Sequence, residues 1–386
     1  MILTQCTVCA TELGLTLGKK CGRCSTRYCG AACQAQHWKE GGHDTLCKKI
    51  KKAGGAEQYN ANKKYTEAVT VAAETCADDT KGQTCYICTQ AVHWKTKEGL
   101  VRMCACRGTA GFAHVSCLAE QAKILVAEVE ENNLGYNALN ERFARWTTCS
   151  MCKQDYHGVV RCALGWACWK TYLGRPEEDQ FRSTSMRTLG SGLSSAEHNE
   201  DALSVKEAEL AMLRRLGASE HDILVTQSNL ANTYQKFGRL ESALQMRRDV
   251  YSGWLKVDGE EHEYALIAAH NYASSLDSLE RFEEAKSVLR KTMPVARRVL
   301  GDNDENTLKI RWKYAKALYG DPGATLDDLR EAVTTLEDLE KIARRVFGGE
   351  HPATENIQNS LWEARAALGA NSVCDAMAAM PPPRDA

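Results

Sequence analysis

Seventeen of the 18 cysteines in this 386-residue chain precede residue 170, and most stand in short pairs. One series reads Cys6-x2-Cys9, Cys21-x2-Cys24, Cys29-x3-Cys33 and His43-x3-Cys47. A second reads Cys85-x2-Cys88, Cys104-x1-Cys106, His114-x2-Cys117 and Cys149-x2-Cys152. A gap of two suits a tight turn that aims two sulfurs at one ion. A gap of three puts both ligands on one face of a helix turn. Inside a reducing compartment such pairs read as metal ligands rather than disulfides. A structural zinc takes four sulfur or nitrogen ligands, so eight ligands make two closed tetrahedral sites. Two series imply four Zn2+ ions per chain, none with an open position for catalysis at the metal.

The segment YCGAACQAQHW (28–38), followed by His43 and Cys47, resembles the MYND zinc finger over residues 6–47. That resemblance implies interleaved pairs. Cys6, Cys9, Cys29 and Cys33 would share one ion, and Cys21, Cys24, His43 and Cys47 the other. His37 competes with His43, and the x3 spacing to Cys47 favours His43. The block has almost no large aliphatic residues between its pairs, so it cannot build a sufficient core without metal. MYND fingers are protein-interaction modules for short, often proline-containing peptides.

The stretch CACRGTAGFAHVSCL (104–118) resembles the RING-CH, or RING variant, finger, and residues 85–155 form that module. The resemblance implies a second cross-brace. Cys85, Cys88, His114 and Cys117 would hold one ion, and Cys104, Cys106, Cys149 and Cys152 the other. Gly108 and Gly111 suit a loop that turns sharply beside metal. The 31 residues from Cys117 to Cys149 are more than the family uses. Apolar stripes at Leu118, Ala122, Leu125 and Val129, then at Leu139, Phe143 and Trp146, predict an inserted helical hairpin. RING-type fingers imply ubiquitin ligase activity by positioning a charged conjugating enzyme. Family docking positions fall on Ile87, inside the first pair, and Lys153, just after the last ligand. The family's groove tryptophan is Gln121 here, with Trp146 a candidate substitute, and its last-pair proline is replaced by Ser150-Met151.

These ligands need elements to position them. Residues 48–84 read as a polar helical spacer with Tyr65, Val69 and Ala72 at helical spacing, and 156–185 as a connector. From 186 to 368 the chain repeats itself. Asn229 recurs as Asn271, Ala243 as Ala285 and Gly259 as Gly301, each 42 residues apart. A fixed period with small residues at fixed points means stacked helix pairs. This half resembles tetratricopeptide repeats of the kinesin light chain type. Four repeats are expected, then a closing helix at 356–368 and a disordered tail at 369–386. Asn229, Asn232 and Asn271 sit mid-helix and either reach a ligand or bond neighbouring repeats, the second being favoured. Cys76, Cys162, Cys168, Cys374, His93 and His157 fit no pair.

The fold class is therefore mainly α: two small cross-braced zinc fingers, then an α-solenoid. A net charge of −1 excludes a chain built as a whole for nucleic acid or anionic membrane. Residues 1–52 carry nine Lys/Arg against three Asp/Glu, yet Lys48–Lys52 reads as a solvated helix face. No apolar run reaches the ~20 residues of a spanning helix, and Cys6 interrupts any secretory core, so an intracellular location is expected, in cytoplasm or nucleus. No phosphate loop, Gly-x-Ser-x-Gly element or SET-like block is present, and no small-molecule substrate is evident. Two readings of function stand. One is an E3 ubiquitin ligase selecting proteins through its repeats and first finger, with a ubiquitin-conjugating enzyme as partner. The other is a non-catalytic zinc-bound scaffold for proteins and peptides.

Overall fold

The computed structural model describes residues 4–14, 17–348 and 351–378. The chain divides into two units, Met1–Ala218 and Ser219–Ala386.

The first unit opens with a two-stranded antiparallel hairpin, β1 (Lys19–Lys20) and β2 (Arg27–Tyr28), with Lys19 opposite Tyr28. Two short helices follow, α1 (Ala31–Lys39) and α2 (His43–Lys52). Then comes α3 (Ala56–Thr75), the helix of the polar stretch. Its sequence hides its role, because four small or branched residues, Ala56, Ala61, Val69 and Ala72, are buried along its length. Ala56 packs into the first finger, Ala61 against Trp166 and Trp169, and Val69 and Ala72 against the second finger.

The 31 residues between Cys117 and Cys149 lie largely in α4 (Val115–Glu131) and α5 (Tyr136–Phe143), capped by a 3-10 turn at Ala144–Trp146. Asn133 makes the left-handed step between them at φ 48°. Trp146 is fully buried among Ala122, Val126, Cys168 and Tyr172.

The centre of this unit is α6 (Gly158–Tyr172), within the stretch read as a connector. It is apolar on nearly every side, so it packs against α3, α4 and α7 (Gln180–Ser195) at once. Two glycines let α6 and α7 close together. A Cβ on Gly192 would sit 2.7 Å from the Arg161 carbonyl oxygen, and one on Gly165 3.1 Å from the Leu189 Cα. Helix α8 (Asn199–Arg215) completes the unit.

The second unit stacks α9 (Glu220–Lys236), α10 (Leu240–Val257), α11 (Glu263–Ser278), α12 (Phe282–Val299), α13 (Glu305–Gly320), α14 (Leu326–Val346) and α15 (Pro352–Ala378). The period is visible in the backbone. Gly259, Gly301 and Gly348 follow α10, α12 and α14, the second helix of successive pairs, in the left-handed region at φ 82°, 91° and 94°. Gly238 and Glu280, 42 residues apart, make the tight turns at φ 69° and 57°. Ala243 and Ala285 are fully buried where paired helices meet. Asn232 Oδ1 accepts from Arg247 at 2.8 Å, and the same guanidinium donates to Ser275 at 2.7 Å. That link joins one repeat to the next. Helix α15 runs to Ala378, into the stretch read as a tail, whose residues 379–386, with Pro381–Pro383, lie outside the described residues.

Candidate metal centres

The four Cys-x2-Cys turns share one construction. The amides of Ala10, Ser25, Thr89 and Lys153 donate to the carbonyls of Cys6, Cys21, Cys85 and Cys149 at 3.0, 3.0, 2.8 and 3.1 Å. The first cysteines donate in return to Thr11, Thr26, Gln90 and Gln154 at 2.8, 2.8, 3.0 and 2.9 Å. Closing the turn forces the residue after the second cysteine into the left-handed region, at φ 55°, 61°, 62° and 60°. The amides of Ile87 and Cys88 then point at Cys85 Sγ, 3.4 and 3.5 Å away. Such donors favour the thiolate that a metal needs.

Tertiary structure brings the pairs together in alternation. Cys6, Cys9, Cys29 and Cys33 form one group; Cys21, Cys24, His43 and Cys47 the next; Cys85, Cys88, His114 and Cys117 the third; Cys104, Cys106, Cys149 and Cys152 the fourth. Within each, all ligand atoms lie within 4.8 Å of one another. Sulfur–sulfur separations are 3.4 Å for Cys9–Cys29, 3.7 Å for Cys106–Cys149 and 3.9 Å for Cys21–Cys47. Zn–S bonds near ~2.3 Å in a tetrahedron place sulfurs about 3.8 Å apart, so the spacing fits one zinc ion per group.

Charge points the same way. Hydrogen bonding to the Thr11 side chain and backbone draws the Cys9 thiol down to about 6, while contact with Cys29 pushes Cys33 up to about 12. Sulfurs this close cannot all ionise without a cation between them.

The two histidines present different atoms. His43 Nε2 lies 3.4 Å from Cys24 Sγ and 3.5 Å from Cys21 Sγ. His114 uses Nδ1, 3.3 Å from Cys88 Sγ and 3.7 Å from Cys117 Sγ. His37 is placed elsewhere, its Nδ1 3.0 Å from the Tyr28 hydroxyl. Burial holds the Tyr28 phenol well above its ordinary range and, with His43, holds His37 below its own. His93 Nδ1 accepts from the Thr96 amide and hydroxyl at 3.1 and 2.8 Å and stands edge-on to His114. Cys76 Sγ is 3.8 Å from the Arg102 carbonyl, and Cys162 and Cys168 are buried in α6.

In the fourth centre Gly111 is sterically required. At φ 84°, a Cβ there would meet the Cys106 Cβ at 2.6 Å and its sulfur at 2.8 Å. The knuckles of the third and fourth centres are tied by the Tyr86 and Ser150 hydroxyls, 3.0 Å apart. Ile87 is half-buried beside that tie, while Met151 and Lys153 are exposed.

Family models match three segments: the MYND finger at 6–47, the RING-variant domain at 85–133 and the tetratricopeptide repeat at 222–298. The chain carries a MYND finger, a RING-variant domain and tetratricopeptide repeats. The RING-variant match ends before Cys149 and Cys152, yet the structure closes the fourth centre with that pair. The sequence separation is bridged by α4 and α5. Solved structures include a putative kinesin light chain with nearly identical TPR-like repeats from Podosopora anserina. It is 20% identical over 61% of this chain and 98% of its own, with a TM-score of 0.42. BtubC (BKLC) from P. vanneervenii is 14% identical over 70% and 96%, with a TM-score of 0.40. No curated protein matches the chain.

Four Cys/His groups that could each bind zinc, with MYND, RING-variant and tetratricopeptide modules, make this a zinc-binding protein-interaction protein.

Proposed function

We propose that the chain is a RING-type E3 ubiquitin ligase. The RING-variant finger docks a ubiquitin-charged conjugating enzyme, and the repeats and MYND finger select protein substrates. One observation carries the reading: the Tyr86–Ser150 contact joins the knuckle that holds Ile87 to the knuckle that holds Met151 and precedes Lys153. A partly exposed isoleucine, an exposed methionine and an exposed lysine on two tied loops suit docking of an apolar loop beside a polar tail. Catalysis in this scheme is positional. The finger restricts the orientation of the thioester, and no zinc ligand attacks it.

A second reading, the non-catalytic scaffold, has its own support. Trp146, the candidate for the groove tryptophan, is wholly buried against Tyr172 and cannot serve on the surface. Gln121 on α4 is left at that position. An autoubiquitination assay over a panel of conjugating enzymes separates the two. Ligase activity predicts chains with at least one enzyme, reduced by Ile87→Ala and by Lys153→Ala at unchanged zinc content. Absence of chains with every enzyme favours the scaffold.

A further inference from the structure

A cavity of about 770 Å³ lies within the first unit, between α3, α4, the carboxyl end of α6 and the turn at 93–96. That volume is in the range of ligand-holding clefts. It contains no zinc ligand, and neither Ile87 nor Lys153 lines it.

Its chemistry centres on Lys170. The ammonium sits 3.5 Å from the centroid of the Tyr65 ring, and Gln58 Nε2 fixes the backbone by donating to the Lys170 carbonyl at 3.1 Å. Lys170 makes no ion pair among the described residues. Glu98, the carboxylate that acts on it, is occupied by the Ser116 amide and hydroxyl at 2.7 and 2.8 Å. Burial lowers the Lys170 pKa, the mark of a cation partly stripped of water without a full counter-charge. An arriving carboxylate would supply that charge at a site already ordered for it. The rim adds Lys95, exposed and also without an ion pair among the described residues, and Trp94, which is 68% exposed. The other lysine of the lining, Lys123, is 3.6 Å from Glu120.

We infer that this cavity docks a protein segment carrying an Asp or Glu beside an apolar side chain, with the carboxylate on Lys170 and the apolar group against Trp94. The exposed indole beside an unpaired, half-buried ammonium selects this chemistry. Lys123 and Glu120 offset each other on the wall, which leaves Lys170 and Lys95 as the free positive charge, a match for one carboxylate rather than for a phosphate backbone or an anionic bilayer. The inference does not depend on ligase activity.

The test uses the zinc-loaded full chain and fluorescein-labelled peptides with one Glu or Asp flanked by Leu, Phe or Trp. The same panel with Gln or Asn in place of the acid is the control. Fluorescence polarisation should show binding for acidic members, lost about tenfold or more with the amide controls and with Lys170→Gln, as expected when a partly desolvated charge pair is removed. Trp94→Ala should weaken binding several-fold while Ile87→Ala leaves it unchanged. Because Lys170 is half-buried, zinc content and circular dichroism accompany its variant. If that variant misfolds, the exposed Trp94→Ala and Lys95→Gln variants carry the test. The inference is overturned by equal binding of acid and amide peptides, by binding that survives these variants, by no binding at all, or by preference for oligonucleotides or anionic vesicles.

Discussion

The hydroxyls of Tyr86 and Ser150 meet at 3.0 Å, joining two zinc knuckles that are 64 residues apart in the chain. Tyr86 stands just after the first ligand of the third centre, and Ser150 just after Cys149 of the fourth. The two centres are thus braced by a side-chain bond as well as by interleaved ligands. Tyr86→Phe removes the bond and keeps the ring. We expect a stability loss of about 1 kcal/mol with zinc content unchanged. Denaturant melts paired with metal analysis measure both, and loss of an ion with the hydroxyl would contradict the assignment.

Gly111→Ala places a methyl where Cys106 already stands. The fourth centre should fail while the other three persist, so metal analysis should fall from four zinc ions per chain towards three. Retention of four ions at wild-type stability would show that the loop moves aside.

Gly192→Ala tests the α6–α7 contact. The added carbon would lie 2.7 Å from the Arg161 carbonyl oxygen and 3.1 Å from the Cys162 Cα, both backbone atoms that cannot rotate away. Overpacking of this kind costs about 1–3 kcal/mol. Thermal denaturation should show it, and a neutral result would mean that the helices separate freely.

His270 makes stability depend on pH. Burial, then the neighbouring Lys313, lowers its pKa from 6.5 to about 4. Between those values the unfolded chain binds more protons than the folded one, so stability falls as pH falls from 6.5 towards 4. The effect is on the order of 1–2 kcal/mol after allowance for solvent. Acid also strips zinc, so the readout is the difference between wild type and His270→Gln. Wild type should lose stability relative to the variant across that window. A constant difference would mean that His270 titrates normally.

Much of the metal chemistry was legible in the residues because it is local. Two sulfurs two or three residues apart can share an ion whatever lies elsewhere, so spacing alone located the pairs. The interleaving was not local, and it came from resemblance until the fold brought the groups together. The repeats were legible for a related reason. Ala243 and Ala285 recur because each helix pair solves one packing problem again.

Residues 48–84 and 156–185 were another matter. Read as a spacer and a connector, they hold α3 and α6, the helices against which both fingers and the α4–α5 hairpin are assembled. Helix α6 is buried on nearly all sides, so it shows no polar stripe to announce which neighbours it meets. Trp146 could be placed on a surface or in the core with equal ease until its neighbours were known.

The sequence by itself determined which atoms could bind metal and how often the helix pairs recur, since both follow from spacing along the chain. Only the tertiary structure decided that Lys170 lies over Tyr65, 105 residues away in sequence, beside a cavity and without an ion pair among the described residues. Packing, not spacing, sets which charges meet and which are left for a partner.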